Sequence, residues 1–304
     1  MIANRPKIGI FTPIHRTHRF IEYTIDSVLQ QTYQNWEWVI LDNSVEGEDV
    51  TKWFWNHVIE KYPFAYYMFK SKIRIHKVMS ESRNLGYLKS VAAGLVGECD
   101  VLFEQEADDI LLVNALETLA QAIEAHPNCK FFWSDNIMLD HWENNGIKSC
   151  SSRRGAIFTG VAKVRFPEIP IEIPCNVAQL RNIDYVNIVE YNNMPLHWRA
   201  WKRDFYHLLG GFDSNVRFNE DQDLLCRTFL HCKKNEMCRI AHPGSIWNGH
   251  GSNTGGEING SKEITAGIFD TYRERLKEHF ELEKANEGFI IHFYPHLENN
   301  DIGV

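Results

Sequence analysis

Residues 101–109 read Val-Leu-Phe-Glu-Gln-Glu-Ala-Asp-Asp. Three apolar residues running into a cluster of carboxylates predict a short buried strand, Val101–Glu104, that ends in a polar turn. Glu106 and Asp108 stand one residue apart, so both can face one cavity at the strand end. Hard carboxylate oxygens suit Mg2+ or Mn2+. The competing reading is a helix cap, with Asp108 or Asp109 starting a helix predicted over Ile110–Ala125.

Working outward, Lys7–Thr12, Trp36–Leu41 and Ile73–Val78 read as strands upstream, and Lys130–Ser134 as one downstream. Between them, apolar residues recur at helical spacing near Phe20–Leu29, Trp53–Tyr62 and Ser82–Val96. Such alternation predicts an α/β protein with a central, mostly parallel sheet flanked by helices. In open parallel sheets ligands bind beyond the carboxyl ends of the strands. Thr12-Pro13, Asp42-Asn43-Ser44 and Glu106-Ala107-Asp108-Asp109 all fall at such ends, which makes one shared site the expectation.

The second half is less regular. Phe166–Pro174 carries three prolines and reads as irregular or edge structure. Arg203–Leu209 stops at Gly210-Gly211, a helix is predicted over Asp221–Leu230, and Ala241–Gly256 reads as loop. A polar helix follows at Glu263–Glu283. The simplest division is one α/β domain over 1–260 with a C-terminal helical extension over 261–304. At the start of its helix, Glu220 or Asp221 can serve as general base, or merely favour the positive end of the helix dipole. His250, among glycines, reads as a metal or phosphate contact or as a solvated loop histidine.

Composition bounds the function. The 304 residues carry 32 basic and 40 acidic side chains, a net charge of −8, so there is no global footprint for nucleic acid, although a local basic patch stays open. With 44% hydrophobic and 24% charged residues, the chain is neither disordered nor collagenous. Aromatics reach 12%, with nine tryptophans, a supply that suits either ring-stacking clefts or packing. No apolar run approaches the roughly 18 residues of a membrane span, and the first residues lack a secretory pattern. Seven cysteines without a C-x-x-C pair fit reduced thiols in a cytoplasmic protein. Any membrane contact would be peripheral, through the segment after Glu263.

Taken in order, these clusters resemble the family 2 glycosyltransferases of the GT-A fold. Ile8-Gly9-Ile10-Phe11-Thr12-Pro13 is similar to the family's first strand, and Thr32-Tyr33-Gln34-Asn35-Trp36 through Leu41-Asp42-Asn43-Ser44 resembles its second. Ser82-Arg83-Asn84-Leu85-Gly86 matches its R-N-x-G segment, and Glu106-Ala107-Asp108-Asp109 falls at its D-x-D motif. Gly210-Gly211-Phe212-Asp213 with Glu220-Asp221 resembles its G-G-F-D … E-D segment, and His250-Gly251-Ser252-Asn253-Thr254 a late H-x-x-N-T element. The ordered set is far more specific than any member.

The resemblance implies a donor half over about 1–135, an acceptor half over about 136–260, and inverting transfer from a nucleoside-diphosphate sugar, UDP by family habit, to a hydroxyl of a glycan or other acceptor. Thr12, Pro13, Asp42, Arg83, Glu106 and Ala107 would bind the donor. Asp108 and His250 would hold Mn2+ or Mg2+, and Asp221 would deprotonate the acceptor. Glu220, His197 and Trp198 would touch the acceptor, with core packing the alternative for the last two. Two departures stand out: Glu106 replaces the usual first Asp, and Asp42-Asn43-Ser44 lacks the usual glycine. A nucleotidyltransferase would need a Gly-rich, Arg-bearing loop after the first strand, and a dinucleotide oxidoreductase would need G-x-G-x-x-G there. Neither is present. The remaining alternative is an inactive nucleotide- or sugar-binding scaffold of the same fold.

Overall fold

The computed structural model describes residues 5–14, 21–43, 50–78, 84–140, 148–149, 156–165, 173–180, 195, 197–249, 261–283, 290–292 and 301–303. Arg83, His250 to Thr254 and most of Phe166–Pro174 lie outside them. In chain order the elements are β1 (Ile8–Ile14), α1 (Ile21–Leu29), β2 (Trp36–Asp42), α2 (Val50–Lys61), α3 (Tyr66–Lys72), β3 (Ile73–Lys77), α4 (Leu85–Gly94), β4 (Val101–Glu104), β5 (Ile110–Leu111), α5 (Ala115–Ala125) and β6 (Phe131–Asp140). There follow β7 (Lys148–Ser149), β8 (Ala156–Arg165), β9 (Ile173–Leu180), β10 (Arg199–Lys202), α6 (Arg203–Leu208), α7 (Glu220–His231), β11 (Met237–Gly249), α8 (Ser261–Glu283), β12 (Ile290–His292) and β13 (Asp301–Gly303).

One mixed sheet runs β13-β8-β9-β6-β10-β4-β1-β2-β3. Its first-half strands, β4-β1-β2-β3, are all parallel. Beyond them, β10 runs antiparallel to both β4 and β6, so the parallel order predicted from the sequence holds for β4-β1-β2-β3 and reverses at β10. Every residue of β1 is buried, as a central strand covered on both faces must be. Ile8, Ile10, Trp38 and Ile40 pack on α1 and α2 on one face, while Phe11, Val39 and Leu41 meet Leu88, Trp201 and Phe212 on the other.

Two expectations are corrected. Helix α5 starts at Ala115, not Ile110. Ile110–Leu111 instead pairs antiparallel with β11 at Ser245 and Ile246, and Gln31, just after α1, both donates to Leu112 O (2.7 Å) and accepts from Leu116 N (3.0 Å), fixing where the helix begins. The second concerns the stretch read as loop from Ala241. Through Gly249 it is strand, paired in parallel with β6 and irregular only around Pro243. Its Gly, Pro and Asn residues are overruled by a strand partner on each side. The stretch after Cys150 contains β8 and β9, an antiparallel pair. The C-terminal segment adds two strands to its helix, β12 on β11 and β13 on β8.

Gly86 locks the two halves together. A Cβ there would lie 2.3 Å from the carbonyl oxygens of both Asp213 and Val216, so only glycine lets the start of α4 meet the loop before α7. Asn84 caps α4 by accepting from Tyr87 N and donates to Ser214 O at 2.7 Å. Gly86→Ala is expected to destabilise the fold by about 1–3 kcal/mol, the range for overpacking a tight contact, checked by urea unfolding.

Candidate active site

The carboxyl ends of β1, β2 and β4 lie side by side, with Ile14 beside Asp42 and Phe11 beside Glu104. Asp42 is buried at the end of β2. Thr12 is buried too, and its hydroxyl accepts from the Trp38 indole at 3.0 Å, so that group holds strands together. Pairing of β1 with β4 ends at Phe11, and Pro13, lacking an N–H, falls beyond it where no ladder donor is required.

After β4 the chain forms the acidic loop. Thr24 of α1 donates to the carbonyls of Ala107 and Asp109 (3.0 and 2.9 Å), and Gln105 donates to those of Glu106 and Asp109. The helix-cap reading of this loop fails, because α5 is preceded by Asn114. Asp109 instead accepts from the Asn248 backbone N–H (3.0 Å) and pairs with His197 Nδ1 (3.0 Å). Glu106 and Asp108 are half-buried at the same rim.

The centre of the site is a buried cation that sequence reasoning missed. Lys89, on α4, has its side chain 3% exposed and reaches Glu104 at 2.7 Å, Glu106 at 2.6 Å and Glu220 at 2.9 Å. It thereby joins the acidic loop to the first residue of α7. A second missed cation, Arg199, is fully buried; its Nη2 donates to Asp221 Oδ2 at 3.1 Å and its Nε lies 3.7 Å from Glu104. The available signals were an ionisable residue inside an apolar stripe, Leu88-Lys89 with Ala92 and Ala93 on α4, and Arg199 at the start of the strand Arg-Ala-Trp-Lys. Glu106 acquires a reason as well: an Asp would stop a methylene short of Lys89.

The electrostatics follow from this burial. Desolvation opposes the charge on Lys89, yet Glu104, Glu106 and Glu220 more than offset it and hold the ammonium well above its usual range. Burial also opposes Glu106 and Asp221, but Lys89 and His197 pull the first below the carboxylate range, and Arg199 with Lys89 does the same for the second. For Glu220 burial wins over Lys89, and its carboxyl is pushed up to about 7. His197 is driven down by burial, but Glu106 and Asp109 reverse this and lift it to about 9.

Of the predicted acceptor residues, Glu220 and His197 do sit in this cluster. Trp198 does not face it: its ring is buried edge-on against Phe103 at 5.2 Å, which is the packing alternative. Its backbone is unusual, with φ 78°, and Asn219 has φ 56°. These left-handed residues directly precede Arg199 and Glu220, so strain is concentrated where the cluster is assembled.

His197 provides a pH test. Its folded pKa lies above the unfolded 6.5, so its contribution is present below about pH 6.5 and lost as pH rises through about 9. The loss is expected to be on the order of 3 kcal/mol. Urea unfolding at both ends of that window should show it in the native chain and show much less in His197→Gln.

A parallel sheet half ending in an acidic loop, closed by an antiparallel half whose helix brings two more carboxylates, is the GT-A fold. Solved structures of similar fold include S. aureus TarS 1–349 in complex with UDP-GlcNAc, with TM-score 0.59 and 14% identity over 92% of this chain and 74% of that one. GalNAc-T7 with UDP, GalNAc and Mn2+ is also similar, with TM-score 0.53 and 14% identity over 93% of this chain and 52% of that one. In sequence, the chain is 23% identical over 144 residues to EpsE of Bacillus subtilis, a protein bearing a glycosyltransferase name, and 26% identical over 140 residues to the O-antigen biosynthesis protein RfbC of Myxococcus xanthus. Those stretches cover 47% and 46% of this chain, but 48% of EpsE and 10% of RfbC. No family model matches the chain.

Proposed function

We infer that the protein is an inverting family 2 glycosyltransferase that moves a sugar from a nucleoside-diphosphate sugar, UDP-linked by preference, to a hydroxyl of a glycan or similar acceptor. The observation that carries this reading is the Lys89 cluster, where the acidic loop of the donor half and the Glu220-Asp221 pair of the acceptor half meet around one ammonium. The UDP-GlcNAc complex of the similar TarS structure supports the donor class.

Asp108 is the residue we assign to a divalent cation, Mn2+ or Mg2+. Its carboxylate offers the hard oxygen such ions take, with phosphates and water completing the shell. Among the described residues no three His, Cys, Asp or Glu side chains form a ready-made metal cage. When bound, such an ion offsets the charge gathering on the departing diphosphate. His250 is assigned with Asp108 to the metal, Arg83 to the diphosphate side, and Thr12, Pro13, Asp42, Glu106 and Ala107 to the walls of the donor pocket.

Asp221 is the base. It is ionised at neutral pH, and it takes the proton from the acceptor hydroxyl as that oxygen attacks the anomeric carbon and the nucleoside diphosphate leaves on the opposite face. Arg199 holds it in place through Oδ2. Positioning and fixed charge provide most of the acceleration in such a step. A fully assembled cluster favours an enzyme over an inactive scaffold of the same fold. The donor half would run to about residue 135 and the acceptor half to about 260, with the extension at 261–304.

The test is thermal unfolding with UDP, TDP and GDP, each with and without Mn2+. Ligand at about 100 times its Kd should stabilise by roughly 2.7 kcal/mol. A shift with one nucleotide that depends on Mn2+ is expected. Indifference to all three would count against the donor site.

A further inference from the structure

We propose that the outer face of α2 and α3 is a docking surface for an anionic lipid bilayer. Four of the eight large apolar side chains exposed among the described residues fall within ten positions here: Ile59 at 48%, Phe64 at 105%, Tyr67 at 84% and Met68 at 43%. Helix α2 buries Val50, Phe54 and Val58, which turns Lys52 and Ile59 outward on the opposite side. Helix α3 buries Phe69 and so presents Tyr67. Phe64 stands at the turn between the helices. Trp55 packs on Tyr66 at 5.7 Å and Tyr62 on Phe69 at 5.9 Å, which ties the two helices together.

The charge around this face runs against that of the molecule. From Val50 to Val78 there are six cations, Lys52, Lys61, Lys70, Lys72, Arg74 and Lys77, and one anion, Glu60, in a chain whose net charge is −8. Lys61 pairs with Asp26 and Arg74 with Glu37. Lys70 has no carboxylate partner among the described residues; it lies over the rings of Trp55 and Tyr66 and donates to Tyr66 Oη at 2.8 Å. Aromatic rings at headgroup depth with lysines snorkelling around them are the chemistry of interfacial anchoring, and an anionic leaflet attracts such a basic surface.

A nucleic acid would use the rings for stacking, but Ile59 and Met68 offer nothing to a base, and Phe64 projects as a tip. The C-terminal helix, where peripheral contact was expected, is a poorer candidate: Ser261–Glu283 carries four cations against six anions. Among the described residues no helix is long and apolar enough to cross a membrane, so the contact is a surface one.

The experiment is co-sedimentation of the full chain with phosphatidylcholine vesicles and with vesicles of equal parts phosphatidylcholine and phosphatidylserine. Binding is expected to the anionic vesicles, to fall at least tenfold on them with Phe64→Ser/Tyr67→Ser and with Lys70→Glu, and to weaken at high salt. The variants alter exposed side chains outside the catalytic cluster, so Tm and sugar transfer in solution should stay at native values. The proposal is overturned if the native chain stays in the supernatant with anionic vesicles, or if the double variant with native Tm sediments as well as the native chain. A native dimer that becomes monomeric in the double variant would equally overturn it, assigning the face to a second copy.

Discussion

Replacing Lys89 with Met is expected to cost about 3–5 kcal/mol of stability, the range for removing one partner from a buried ion pair. The volume is nearly conserved, so packing is a minor contributor. What remains is Glu104, Glu106 and Glu220 within one buried space and no ammonium to neutralise them. Each must then take up a proton or draw in water, and both options weaken the folded state. Urea unfolding at neutral pH gives the number. The cause is separated from a simple cavity by adding Glu220→Gln to Lys89→Met, which removes one stranded charge and should recover more than 1 kcal/mol through the coupling expected of residues in direct contact. A double variant no more stable than Lys89→Met would mean that Lys89 acts through packing alone.

That residue also marks how far the sequence could be read. The first half of the chain was legible because its code is local. Apolar runs such as Ile8–Ile14 and Trp36–Asp42 alternate with helical spacing, and each acidic turn sits at a strand end by simple order along the chain. Helix α3 was missed because Tyr66–Lys72 is only seven residues long, too short for periodicity to register. Strand β11 was missed because its identity comes from β6 and β5 beside it, and no residue among Pro243, Gly244 and Asn248 announces a strand.

For the site, motif order singled out Glu106, Glu220 and Asp221, and the fold brings all three against Lys89 or Arg199. That order said nothing of the cations, because a lysine on a helix ordinarily reads as a solvated face. Lys89 and Glu220 are joined only once α4 and α7 pack, and Arg199 of β10 meets Asp221 of α7 only once those two elements come together. The pairing lives in tertiary structure. It also settles Asp109, which local pattern would have given to a helix cap and which the fold gives to His197 and Asn248.

Replacing Asp221 with Asn is expected to lower kcat by about a hundredfold to ten-thousandfold, the usual contribution of a positioned general base, with the KM for the donor nearly unchanged. Asn keeps the shape and can still accept from Arg199, but it cannot take a proton. Arg199, fully buried and already short of partners at Nε and Nη1, loses its closest counter-charge, so some destabilisation accompanies the change. For that reason the rate must be measured well below the variant's own Tm. The choice between Asp221 and its neighbour is made by the pH profile. Burial works against ionisation of both carboxyls, but Arg199 and Lys89 hold Asp221 below the usual range, whereas Glu220 titrates near 7. With Asp221 as base, the acid limb of kcat/KM should fall well below neutrality and vanish in Asp221→Asn, while Glu220→Gln keeps the limb and much of the rate. A limb at about pH 7 that disappears in Glu220→Gln would transfer the role to Glu220, leaving Asp221 to hold Arg199.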